Sequence, residues 1–149
     1  DVDRSRGLGD VYKRQHMEVA RIYSQLSSAT RLQVGAVIVK DKRVLSIGYN
    51  GMPTKWTNEC EFTDEHGLNT YTKPEVLHAE TNAIAKVAKS SESCDGATIY
   101  TTTAPCLDCA KLIYQSGIKR VVWNSPHLRS DDGVKFLQKC EGVRVEHLE

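Results

Sequence analysis

Residues suited to a soft or borderline metal fall in two short clusters: His78-Ala79-Glu80 and, 28 positions on from His78, Cys106, which follows Pro105 and precedes Leu107-Asp108-Cys109. One imidazole and two thiolates fill three corners of a tetrahedral zinc and leave the fourth for water. That is the arrangement of a catalytic site, whereas a structural site takes a fourth protein ligand. Glu80 stands two residues beyond His78, too near to join the ligand set comfortably and well placed to reach water on the metal. It is the candidate proton carrier. The alternative is a small zinc knuckle or redox pair at Cys106 and Cys109, with His78 and Glu80 capping a helix. That alternative accounts for neither Pro105 nor Glu80.

Such a site needs both clusters brought to one end of one sheet. The spacing of Met17, Ala20, Ile22, Tyr23 and Leu26 predicts an amphipathic helix from His16, ended by residues 27–30. Apolar runs at 34–39 and 44–49 flank Asp41-Lys42 and predict an antiparallel hairpin, which Asn50-Gly51 breaks. Helices are expected over 78–89, 106–116 and 133–140, and strands over 97–103, 118–123 and 143–146, with Gly117 closing the second of these helices. A helix lies between the last two strands, so they should run parallel through a right-handed crossover. The expected architecture is α/β: a three-layer α/β/α domain on a five-stranded mixed sheet. Both clusters then open helices, where free N–H groups and the positive dipole end favour thiolate over thiol. Pro105 suits such a start, because its missing N–H costs nothing there. Residues 51–77 exceed an ordinary connection and are expected to be functional or to carry structure of their own. Residues 1–15 show no apolar period and are left outside the fold, which gives one domain over 16–149.

The 149 residues and 40% hydrophobic content suit one core of ordinary size. Lys and Arg number 20 against 19 Asp and Glu, and the pI is 7.8, without the basic excess that wraps a polyanion. Nucleic acid is therefore not expected as a partner. The longest apolar run, 34–39, cannot cross a bilayer, and no charged-then-apolar leader opens the chain. No membrane partner and a cytoplasmic location are expected. Five cysteines, two of them spaced C-x-x-C, favour metal or redox use over disulfides.

The H-x-E and P-C-x-x-C pair is the signature of zinc-dependent deaminases of bases and nucleotides. With it in view, the chain resembles the cytidine deaminase superfamily and, within it, the deoxycytidylate (dCMP) deaminases, from about Met17 to Val145. Residues 34–39, Gly48-Tyr49-Asn50-Gly51, His78 to Ile84 and 115–122 carry that likeness. The resemblance implies a cytidine-deaminase-like fold, one catalytic zinc on His78, Cys106 and Cys109, and hydrolysis of dCMP to dUMP and ammonia. In the implied reaction a zinc-activated hydroxide adds at ring carbon 4, while Glu80 protonates ring nitrogen 3 and then the departing amine. Asn50 is implied as a sugar contact, with a plain turn residue as its alternative. The backbone around Ala79 and Ala104 is implied as the base-reading surface. Regulation by dCTP and dTTP, magnesium accompanying a triphosphate effector, and a homo-oligomer follow from the same likeness. Tyr49 is then a candidate effector contact or an aromatic packed on the core, and Lys89 a phosphate contact or a solvated helix-end lysine.

One departure concerns metal count. Several relatives in this branch hold a second, structural zinc, with a cysteine five residues before the Val-Gly of the first strand. That position here is Ala29, and only Cys60 and His66 remain in the long loop, with Glu59, Glu61 and Asp64 as oxygen donors nearby. One zinc per chain is expected, with the loop held by packing and hydrogen bonds. A bifunctional dCMP/dCTP deaminase and a tRNA adenosine deaminase are the competing enzymes. Against the latter stand the near-neutral charge and the 28 positions from Asn50 to His78. A silent nucleotide-binding protein that keeps zinc for stability would have little need of Glu80.

Overall fold

The computed structural model describes residues 2–149, with the backbone alone for residues 2–8. Helix α1 spans Val2–Ser24, and the hairpin strands β1 (Gly35–Lys40) and β2 (Arg43–Tyr49) follow. The hairpin turns on Asp41 and Lys42, both left-handed with φ of 52° and 64°. That conformation matches the strand twist of a two-residue hairpin, and an Asp-initiated turn tolerates it. Short strands β3 (Glu61–Thr63) and β4 (Thr70–Thr72) lie in the long loop. Then come α2 (Ala79–Ala88), β5 (Thr98–Thr103), α3 (Leu107–Gln115), β6 (Arg120–Ser125), α4 (Asp132–Lys139) and β7 (Arg144–His147).

The main sheet has order β2-β1-β5-β6-β7. β1 is antiparallel to both its neighbours, while β5, β6 and β7 are mutually parallel. One face carries α2, α3 and α4 over a core that includes Ile38, Ile84, Ile99, Ile113, Val121 and Leu137. The other carries α1, whose Met17 and Ala20 pack on Val37, Val39, Tyr100 and Val122. This is the expected three-layer fold with its five-stranded mixed sheet, and the boundaries expected for its elements agree within about two residues, apart from the start of α1. Strand β1 is buried on both faces, as its unbroken apolar run requires.

Two close backbone contacts made possible by glycine bear on the site. A Cβ on Gly48 would stand 2.6 Å from the Ala83 nitrogen and closer still to the Ala79 carbonyl oxygen, so β2 and α2 meet there directly. At Gly133 a Cβ would meet the Cys106 carbonyl oxygen at 2.8 Å and that of Pro105 closer still, which seats α4 on the turn holding the thiols.

Residues 2–15, which show no apolar period, are helical and continue α1. From Gly9 to Gln15 every residue but Lys13 is exposed, so no buried face imposes an apolar period. The helix propagates from its packed half, and Lys13 is tied to Glu146 at 2.9 Å. The long loop also carries structure: β3 and β4 form a separate antiparallel ribbon, with Phe62 paired to Tyr71 across it. No helix among the described residues is long and apolar enough to cross a membrane.

Candidate active site

The two halves of the site are delivered by neighbouring elements on one face of the sheet. His78 caps α2, and Cys106 caps α3 with its sulfur accepting from the Cys109 N–H at 3.4 Å. His78 Nδ1 lies 3.2 Å from Cys109 Sγ and 3.6 Å from Cys106 Sγ, and the three donor atoms fall within 4.8 Å of one another. Tetrahedral zinc with Zn–N near 2.0 Å and Zn–S near 2.3 Å places its nitrogen and sulfur ligands roughly 3.5 Å apart. The donor set and spacing therefore fit zinc with one position open.

Proton sharing inside the cluster shows the same preference. A hydrogen bond from the Cys109 thiol, followed by one from His78, holds Cys106 down to about 3, so it is a thiolate. Cys109 is pushed up, first by that hydrogen bond to Cys106 and then by burial. His78 is raised, chiefly by its hydrogen bond to Cys106. The negative charge of the trio thus sits on Cys106, which a cation answers and which the N-terminus of α3 favours.

Glu80 sits in the first turn of α2, only 4% exposed, and Thr101 Oγ1 in β5 lies 2.9 Å from its Oε1. A cavity of about 510 Å³ adjoins it, lined on the side of the metal cluster by His78, Ala79, Glu80, Ala104 and Cys106. The rest of its lining, here called the wall, includes Arg31, Asn50, Glu61, Thr72, His127 and Arg129. The His127 Nδ1 accepts from the backbone N–H groups of Arg129 and Ser130, which places the ring proton on Nε2.

The sequence-derived site residues divide cleanly. His78, Glu80, Cys106 and Cys109 converge, and Ala79 and Ala104 line the cavity beside them. The Ala104 N–H donates to the Ser125 carbonyl, so it is occupied by the sheet. Asn50 lines the cavity, yet its side chain is engaged by the backbone: Oδ1 accepts from Val34 N and Nδ2 donates to the Leu32 carbonyl, both at 2.8 Å. It thereby fixes the segment that carries Arg31. Tyr49 lies outside the lining, half-buried at the end of β2, with Lys86 Nζ 5.9 Å from its ring centre. Lys89 caps the far end of α2, about 16 Å of helix away from His78. The cavity does not include it.

Sequence reasoning passed over Thr101, Arg31 and His127. A polar residue at an inward position of a buried strand is a signal that could have singled out Thr101; the other two come from loops distant in sequence and carry none. Cys60 is buried, with its sulfur 3.4 Å from Ser28 Oγ, and Glu61 binds both the N–H and the hydroxyl of Thr30. Among the described residues, His78, Cys106 and Cys109 are the one group of three or more donors gathered for a metal.

Comparison with known proteins agrees with this geometry. Residues 11–125 match the family described as the cytidine and deoxycytidylate deaminase zinc-binding region. The deoxycytidylate deaminase of Enterobacteria phage T4 is 32% identical over 87% of this chain and 86% of its own length. That of Homo sapiens is 36% identical over 87% of this chain and 82% of its own. The dCMP deaminase of cyanophage S-TIM5, solved in complex with dCMP and dUMP, superposes with a TM-score of 0.83 at 44% identity, covering 91% of this chain and 96% of that one. By its matched zinc-binding region, its fold and its converged histidine and cysteines, this chain belongs to the cytidine and deoxycytidylate deaminase family.

Proposed function

We propose that this chain hydrolyses the 4-amino group of dCMP, yielding dUMP and ammonia. The observation that carries the reading is one cavity lined by His78, Cys106 and Glu80 together with Arg31, His127 and Arg129. The side of the metal cluster suits an amino-substituted ring, and two guanidiniums with an imidazole N–H suit a phosphate. Relatives that bear the deoxycytidylate deaminase name support it.

His78, Cys106 and Cys109 would hold zinc, which would supply water that is nucleophilic near neutral pH. Glu80 is the group that moves two protons of water in turn, one to ring nitrogen 3 and one to the departing amine. Water and dCMP are consumed; dUMP and ammonia leave. Because the Ala104 N–H is committed to Ser125, base reading there falls to its carbonyl, an acceptor matched to the exocyclic amine. Arg31 and Arg129 hold the phosphate and thereby orient the ring over Glu80. Regulation by dCTP and dTTP belongs to the same reading, with Tyr49, outside the cavity lining, as its contact.

Deamination of dCMP, deoxycytidine, dCTP and CMP by the zinc-loaded protein tests this. kcat/KM for dCMP is expected to exceed that for deoxycytidine by about 100-fold or more, because phosphate binding energy positions the ring. Arg129→Ala should erode that advantage at least tenfold and leave deoxycytidine turnover unchanged. Equal efficiency on the unphosphorylated nucleoside overturns the assignment.

A further inference from the structure

Thr101 is a polar residue where the fold calls for an apolar one. It lies in β5 with no exposed surface, two residues from Ile99 on the sheet face that packs against α2 and α3. A hydroxyl buried there is costly unless it is bonded. Its Oγ1 has two partners: Glu80 Oε1 at 2.9 Å and the Thr103 carbonyl oxygen at 2.7 Å.

Both the Glu80 carboxyl and the Thr103 carbonyl lie within hydrogen-bond reach of that one hydroxyl, so a single buried oxygen links the carboxyl to β5. Two residues beyond Thr103 the chain reaches Pro105 and the Cys106 ligand, so Thr101 also ties Glu80 of α2 to the strand that delivers the thiols.

We propose that Thr101 is a positioning residue for Glu80, its buried hydroxyl fixing the carboxyl of α2 against the strand that delivers the thiols. This rests on the reading of Glu80 as proton carrier, so both are tested together.

Thr101→Val keeps the β-branched shape and removes the hydroxyl; Thr101→Ser keeps the hydroxyl. In Thr101→Val, kcat for dCMP is expected to fall at least tenfold while KM, zinc per chain and dUMP affinity by calorimetry stay within twofold. Thr101→Ser should recover to within threefold of wild type. Thr101→Val added to Glu80→Gln should cost nothing further, because the hydroxyl acts through the carboxyl. The inference is overturned if Glu80→Gln is inactive while Thr101→Val keeps kcat within twofold, or if Thr101→Ser is as slow as Thr101→Val. It is likewise overturned if Thr101→Val loses zinc or dUMP affinity in step with activity. Turnover of Glu80→Gln within tenfold of wild type overturns the role of Glu80 itself.

Discussion

Gly48→Ala adds one methyl at a residue outside the cavity lining, and its effect can be worked from the backbone contact between β2 and α2. The new carbon would stand 2.6 Å from the Ala83 nitrogen and 3.1 Å from the Ala83 Cβ, with the Ala79 carbonyl oxygen nearer than either. Ordinary contact begins near 3.4 Å, and each of these atoms belongs to the helix, so α2 must retreat by close to 1 Å. His78 caps that helix, whereas Cys106 and Cys109 belong to α3, which follows β5. The displacement therefore falls on the nitrogen-to-sulfur separations, now 3.2 and 3.6 Å. A zinc site tolerates about 0.2 Å in its ligand distances, and a catalytic group misplaced by about 1 Å costs about 100-fold in rate. Overpacking adds about 1–3 kcal/mol of destabilisation, a fall in Tm of roughly 3–10 °C. Zinc content by elemental analysis, kcat/KM on dCMP and calorimetric melting are the readouts. Gly51→Ala is the control, because a Cβ there meets nothing within 4 Å. Full zinc with kcat/KM within threefold of wild type in Gly48→Ala would refute the argument that backbone contact sets the ligand spacing.

Three further predictions concern metal, loop and pH. Cys106→Ala or Cys109→Ala should lose zinc together with activity, since two remaining ligands hold the metal poorly; full zinc in either variant contradicts the site. Protein purified without added metal should carry about one zinc per chain, and Glu61→Ala should keep that zinc while hydrogen exchange quickens over residues 59–73 through loss of the Thr30 bonds. A ratio near two zinc atoms, falling when Cys60 is replaced, refutes the single-metal reading. Hydrogen bonds from Arg120, and then from Lys13, hold Glu146 down to about 2, below its unfolded value. Its stabilisation is therefore complete above about pH 4.5 and disappears as pH falls toward 2. Glu146→Gln should lower Tm at pH 7 by an amount that shrinks through that window, and a pH-independent gap would show that the ion pair is not its source.

The parts of the molecule legible in sequence are those where burial imposes a period. β1 is buried on both faces and reads as an unbroken apolar run; α2 and α3 bury one stripe each and open on residues whose types announce a metal. Where burial fails, so does the pattern. From Gly9 to Gln15 α1 lies almost wholly in solvent, and β3 and β4 expose Phe62 and Tyr71 instead of alternating toward a core. The four residues proposed for the chemistry were legible because the spacing within each cluster is local. The cavity wall was not, because Arg31, Thr72 and His127 meet only once the chain has closed. Asn50 shows a further limit: its position at the cavity is legible, but the backbone bonds that occupy its side chain depend on where Leu32 and Val34 finally lie.

The ribbon of β3 and β4 gives the cavity two walls of unequal firmness. Two strands of three residues are marginal by themselves in water, and this pair is fastened to the body by side-chain bonds from Glu61 to Thr30 and by the bridge between Gly51 and Leu77. The metal ligands stand instead on helices whose removal would open the main core. Glu61 and Thr72 reach the cavity from the ribbon, His78 and Cys106 from the frame. Opening of the ribbon therefore disturbs fewer core contacts than opening of the frame, and the cavity lining it supplies can shift while His78 and Cys106 keep their spacing. Drift in the sequence of this ribbon can reshape what enters the cavity without retuning the chemistry at the metal cluster, which lets selectivity and reactivity diverge along separate lines of descent.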